Sequence, residues 1–419
     1  MCSNCLTKGV RMQLRVDQQH TRVRWTLDPA VRHLNHGSFG AVPVAVQERQ
    51  HRLRAEMEAN PVRWFAAIGE RVAEAREDLA DLLHVPHGHL ALVPNASAGA
   101  SVVHQSLLGQ GPVDVMVTSH GYGAISAGMS RLAARTGGRV HRIHIPLDAA
   151  AERVVDLVHE ALTRHRPRLL VIDQITSSTA RAFPVGEICT LARGLGVTTL
   201  VDGAHAPGVL PDPVVREADH WVGNLHKFVC APRGTAVLVS RDGDSLHPVI
   251  DSWGAGRNFP ERFDHVGTLD VTAWLVAPFA WRHLDEEVGW EAIRSYSAEL
   301  ADVGVARVAD ALAGLVNDPV PDVGQPVGPM RLLRLPTGLG ATREDADALR
   351  VPFNDEAGIA LAFTSFEGCG FLRLSTHIHT TIDDLDHLAT VGIPLLHRWA
   401  ERREQGDAPT QPNHFKEEA

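Results

Sequence analysis

Asp202 and Lys227 stand twenty-five positions apart, each at the end of an apolar run. Thr198-Thr199-Leu200-Val201 delivers the acid, and Gly203, Ala204 and His205 follow it. The next apolar stretch ends in Gly223-Asn224-Leu225-His226-Lys227-Phe228. A carboxylate so placed is solvated or paired with a cation, because a bare one in an apolar site costs several kcal/mol. A lysine flanked by Leu225, Phe228 and Val229 is partly desolvated, which lowers its basicity and makes its amine a nucleophile. The chain has three lysines, Lys8, Lys227 and Lys416, against an arginine-rich background. An amine forms a Schiff base and a guanidinium does not; the plainer reading is a surface lysine. Upstream, Val93-Pro94-Asn95-Ala96-Ser97-Ala98-Gly99 closes a strand and opens a helix. Its small residues let backbone N–H groups approach an anion, and the same pattern suits a simple helix cap by Asn95 or Ser97. An acid, an amine and an anion cradle at three strand ends fit one cofactor with three handles.

Those strand ends need a scaffold. Apolar runs predict strands at 90–93, 113–118, 169–173, 198–202, 220–223 and 235–240. Helical spacing predicts helices at 44–60, 72–83, 100–108, 124–134, 149–165 and 185–195. Such alternation argues for an α/β fold with a mostly parallel sheet, whose ligands bind beyond the carboxyl ends of the strands. After residue 274 the pattern changes to a helix over 277–312, short strands near 330–335, 359–364 and 370–375, and a last helix. The expected organisation is an N-terminal arm (1–33), a large domain (34–275), a smaller C-terminal α+β domain (276–400) and a polar tail (401–419).

The composition narrows the function classes. Hydrophobic residues make up 44% and charged residues 21% of 419 positions, as in an ordinary soluble globular protein. The formal charge of −10, with no long basic block, argues against nucleic-acid and anionic-membrane partners. The apolar stretch 271–281 is far short of the roughly 20 residues that span a bilayer. No secretory segment is read in residues 1–20. Five scattered cysteines suit reduced, cytoplasmic thiols. Cys2-Ser3-Asn4-Cys5 lacks a second pair for zinc, and His84, His87 and His89 read as a solvated cluster.

The chain resembles fold-type I pyridoxal-phosphate enzymes of aminotransferase class V, within the isopenicillin-N-epimerase-like branch. Leu34-Asn35-His36-Gly37-Ser38-Phe39-Gly40, Asn60-Pro61-Val62-Arg63-Trp64-Phe65, Pro94-Asn95-Ala96-Ser97, the stretch from Val201 to Gly208 and Gly223-Asn224-Leu225-His226-Lys227 carry the likeness. The resemblance implies that Lys227 holds pyridoxal 5'-phosphate covalently, with Asp202 on the pyridinium nitrogen and His205 facing the phenolic oxygen. It implies phosphate contacts from Ser97 and Ala98 backbone N–H groups and from His226 and Asn224 side chains. Tyr122 would lie on the ring face and is a candidate proton donor, although an aromatic there also suits a plain core. Arg373 would clamp the substrate carboxylate, or else pair on its strand, with Asn35, His36, Ser38 and Arg63 beside the substrate. Gly267-Thr268 would reach the phosphate of a neighbouring subunit, implying a homodimer with shared sites.

Two departures bear on the reaction. Leu269 stands where the branch has Arg, and Gln174 where it has His. The expected activity acts at Cα or Cβ of an amino acid or cysteine S-conjugate in specialised metabolism. C–S cleavage or decarboxylation-coupled deamination leads, epimerisation comes next and transamination after it. A non-catalytic cofactor-binding regulator is disfavoured because Lys227 and Arg373 are both present. Desulfurase activity needs a mobile thiol, which neither Cys230 nor Cys369 supplies by position.

Overall fold

The computed structural model describes residues 23–405. Its chain divides into two compact units. Of the described residues, the first holds 23–26, 36–296 and 323–328; the second holds 27–35, 297–322 and 329–405.

The first unit is built on a seven-stranded sheet. Its strands are β2 (Leu90–Val93), β3 (Val115–Thr118), β4 (Val140–Ile143), β5 (Leu169–Asp173), β6 (Thr198–Asp202), β7 (His220–Asn224) and β8 (Ala236–Ser240), in the order β2-β8-β7-β6-β5-β3-β4. Only β8 runs against its neighbours, so the carboxyl ends of the other six share one edge of the sheet. β5, β7 and β8 are buried along their whole length, as apolar strands covered on both faces must be. β4 (Val-His-Arg-Ile) is half-exposed at the sheet's end, so its sequence lacks the apolar run that revealed the others. Helix Ala151–His165 buries Val154, Val155, Val158 and Leu162 along one stripe, the spacing that predicted it.

The expected helix over 277–312 is two helices, Thr272–Glu287 and Trp290–Leu312. Gly289 takes φ +88° between them, and the Asp285 carboxylate accepts the Trp290 N–H at 3.1 Å. The division between units falls within that second helix, after Tyr296, rather than at 275.

The second unit carries the antiparallel sheet β11 (Ala362–Phe366), β12 (Cys369–Ser375) and β9 (Met330–Arg334), with β12 in the middle. Glu367 and Gly368, at φ 51° and 75°, make the tight hairpin turn between β11 and β12. Part of the expected arm is structured: β1 (Arg32–His33) pairs in parallel with β10 (Ile359–Ala360). Helix Arg343–Ala357 occupies a stretch where no helix was expected, with Pro352 inside it and a Thr342 cap on the Asp345 N–H. Cys2, Cys5 and most of the expected tail lie outside the described residues.

Candidate active site

Parallel register sets the two central acids side by side. Asp173 ends β5, Asp202 ends β6, and the two are direct partners across the ladder. Both are buried, at 4% and 5% exposure. Burial pushes both carboxyls above the usual carboxylate range, Asp173 strongly so because the charge of Asp202 adds to it. The Ala204 N–H donates to Asp202 Oδ1 at 3.0 Å, and the Lys227 charge draws both acids back down.

Lys227 follows β7 in a turn that the surrounding chain grips closely. Its Nζ lies 2.8 Å from Nε2 of the buried His205. That imidazole nitrogen is also 3.0 Å from the Gly37 carbonyl. Carrying a proton, it donates to Gly37; without one, it accepts from the lysine. Leu225, Phe228 and Val229 are buried around the turn. The Lys227 carbonyl accepts from the Cys230 N–H at 3.0 Å and from His36 Nε2 at 3.1 Å. Gly40 is dictated by this packing: a Cβ there would stand 2.3 Å from the Lys227 carbonyl oxygen and 2.5 Å from that of His226.

The anion cradle differs in detail from expectation. Helix Ala96–Ser106 starts where the small residues lie, and Asn95 caps it by accepting the Ala98 N–H at 2.9 Å. Asn224 Oδ1 accepts the Ala96 N–H at 2.9 Å. One expected phosphate donor, the Ala98 N–H, therefore goes to the Asn95 cap, and the Asn224 side-chain oxygen closes the Ala96 N–H, because the first-turn N–H groups of a helix have no partners within it. The Ser97 N–H makes no hydrogen bond among the described residues, and it remains for an anion. His226 donates from Nδ1 to the Thr235 carbonyl at 3.1 Å, and its ring is half-buried.

Other expected residues are distributed. Tyr122 is 43% exposed and precedes helix Gly123–Thr136. His36 is buried, and its Nε2 supports the lysine turn by bonding the Lys227 carbonyl. Ser38 is half-buried in the same segment, and Arg63 and Thr268 are exposed. Within the second unit, Arg373 is buried on β12 and donates to Asn35 Oδ1 at 3.3 Å. Gln174 has both amide ends engaged by the scaffold: Oε1 accepts from Trp221 Nε1 at 2.9 Å, and Nε2 donates to the Pro213 carbonyl at 3.0 Å. Its departure from the branch thus feeds the packing of Trp221, whose ring fills the space where a Cβ on Gly203 or Gly223 would go. Sequence reasoning missed Asp173; its signal was an acid closing a buried apolar strand. His84 and His87 are exposed and paired with Asp212 and Asp81, as a solvated cluster would be.

The model of the family described as aminotransferase class-V matches residues 41–321. The chain belongs to that family. Isopenicillin N epimerase of Streptomyces clavuligerus is 30% identical over 393 residues, covering 89% of this chain and 97% of the relative. An L-cysteine desulfhydrase of Arabidopsis thaliana is 28% identical, covering 77% and 74%. Among solved structures, the cysteine desulfurase CsdA of Escherichia coli superposes with TM-score 0.71 at 21% identity, covering 92% of this chain and 98% of that one. The cystine C–S lyase C-DES gives 0.68 at 19% identity, covering 88% and 97%. These two show the fold. This class-V chain is a pyridoxal-phosphate enzyme. Its donor set fits that cofactor: an amine for the aldehyde, a buried acid for the ring nitrogen, and an unengaged N–H at a helix start for the phosphate.

Proposed function

We propose that this enzyme cleaves the C–S bond at Cβ of a cysteine S-conjugate by β-elimination. The observation carrying this reading is the 2.8 Å contact between Lys227 Nζ and His205 Nε2, a single base assembly serving one face of Cα. Pyridoxal phosphate, when bound, supplies an electron sink for the pair left at Cα. Lys227 holds the cofactor and afterwards takes the Cα proton. Asp202 keeps a proton on the ring nitrogen, and His205 orients the amine through the nitrogen that alternates between Gly37 and Lys227. The electron pair left at Cα then forms the Cα–Cβ double bond as the Cβ–S bond breaks. Sulfur leaves with its electron pair and takes up a proton as a thiol, and the 2-aminoacrylate left behind hydrolyses to pyruvate and ammonia. Arg373, oriented by Asn35, is the proposed clamp for the α-carboxylate.

The relatives named as L-cysteine desulfhydrases and the cystine C–S lyase support this choice. A desulfurase nucleophile is disfavoured: Cys230 is buried at φ 60° with its thiol pushed well up by burial, and the Cys189 thiol is held at about 12. Epimerisation is the second reading, favoured by the exposed Tyr122 and by the epimerase-named relatives. We also propose a homodimer, cytoplasmic, in which the exposed Thr268 loop approaches the partner's site. Exposed Val249, Ile250 and Trp253 support an interface there. Among the described residues no helix is long and apolar enough to cross a membrane.

Mass spectrometry of products from a panel of S-substituted cysteines tests the reaction. Thiol and pyruvate together are expected; inversion at Cα without thiol release overturns it in favour of the epimerase. The wild-type protein should carry a visible absorption band that Lys227→Ala abolishes.

A further inference from the structure

Segment 36–40 touches the lysine turn and the His205 ring at once. The Lys227 carbonyl can only accept, so His36 Nε2, 3.1 Å away, carries the proton and donates it. The His36 ring is buried and tilts against that of Phe228, with centroids 5.2 Å apart. One residue on, the Gly37 carbonyl lies 3.0 Å from His205 Nε2, the atom that meets Lys227 Nζ. At the far end of the segment, Gly40 lies against the His226 and Lys227 carbonyls, and its own carbonyl accepts from Arg233 Nη2 at 3.1 Å. The turn gripped in this way is not a relaxed one. Cys230 closes it at φ 60°, a left-handed backbone that a residue with a Cβ seldom adopts. Such a conformation persists only where its surroundings over-determine it. Here the Cys230 N–H and the His36 imidazole bond the same carbonyl.

We infer that His36 is a positioning residue: it donates to the Lys227 carbonyl while its neighbour Gly37 meets His205, and so fixes where the lysine amine stands relative to its partner imidazole. It acts through the main chain of Lys227. The inference rests on the cofactor link proposed at Lys227 and is independent of which substrate bond is cleaved. Glutamine carries an amide N–H about where Nε2 stands. Asparagine places its amide one carbon nearer the backbone, short of that carbonyl, and leucine has no donor.

The test compares holoenzymes of wild type, His36→Gln, His36→Asn and His36→Leu, each loaded with pyridoxal 5'-phosphate. Visible circular dichroism per bound cofactor reads how the lysine link holds the ring, dilution reads cofactor affinity, and far-ultraviolet dichroism reads the fold. His36→Asn and His36→Leu are expected to lose about twofold in ellipticity and about tenfold in affinity, the weight of one buried hydrogen bond, with the far-ultraviolet spectrum unchanged. His36→Gln is expected to match wild type in both. A glutamine variant as impaired as the leucine one would assign His36 to packing and overturn the inference. A wild-type visible band that survives Lys227→Ala overturns the cofactor link and this inference with it. A Lys227-dependent band, with asparagine and leucine variants like wild type, overturns the inference alone. A crystal structure of the wild-type holoenzyme decides even if those variants fail to fold: His36 Nε2 is expected within hydrogen-bonding distance of the Lys227 carbonyl, and another group in its place overturns the proposal.

Discussion

His120, two residues before Tyr122, illustrates how single side chains are held in one protonation state. Burial holds its imidazole at about 4, against the ordinary 6.5. The Ile145 carbonyl, 2.9 Å from Nε2, can only accept, so Nε2 carries the proton. Nδ1 then accepts from the Thr179 hydroxyl at 2.7 Å. Since the folded value lies below the unfolded one, the unfolded chain binds the proton more readily between them. The stability His120 contributes is therefore complete above pH 6.5 and lost as pH falls towards 4. Urea unfolding of His120→Gln across this range should show a flatter dependence than wild type, by on the order of 3 kcal/mol between the two ends. An unchanged slope would mean that the ring is charged in the native state. At this scale Asp202 and Lys227 stood out in the sequence, one a costly acid and the other a rare lysine beside apolar runs, and His205 came into view only through the family resemblance. The Asn95 cap on the Ala98 N–H was one of two readings the sequence allowed, whereas the engagement of His36 Nε2 by the Lys227 carbonyl emerges only once that backbone is placed.

Helix Ile68–Leu82 shows how an element is anchored. Its Arg76 is buried and donates from Nε to Asp264 Oδ1 at 2.9 Å, from the other arm to Oδ2 at 3.2 Å, and to the His87 carbonyl at 3.2 Å. Burial still holds the Asp264 carboxyl at about 6, so desolvation offsets much of the pair's attraction. Removing one partner leaves the other charge buried without it. Arg76→Ala should therefore lose about 3–5 kcal/mol in denaturant unfolding, whereas the double change to Arg76→Met with Asp264→Leu should recover much of the loss. A single variant within 1 kcal/mol of wild type would show that the pair is solvated. The existence of most strands and helices was readable from apolar periodicity. β4, the break at Gly289 and helix Arg343–Ala357 were not, since each departs from the pattern: an exposed strand, a left-handed glycine and a helix with proline inside.

The whole molecule presents Trp253 to solvent at 90% exposure, in a loop that also exposes Val249 and Ile250. An apolar group of that kind marks an interaction surface. Sedimentation should therefore find a dimer, and Trp253→Asp should shift it towards monomer while leaving the far-ultraviolet spectrum unchanged; a wild-type monomer at micromolar concentration would remove the dimer proposal. The sequence by itself determined the alternation of strands and helices and drew attention to Asp202 and Lys227, because apolar periodicity and the cost of burying charge are local properties. Tertiary structure alone decided that Asp173 stands beside Asp202, that Gln174 serves Trp221, and that Gly40 lies against the lysine turn. Those facts depend on strand order and register, which bring together residues far apart in the chain.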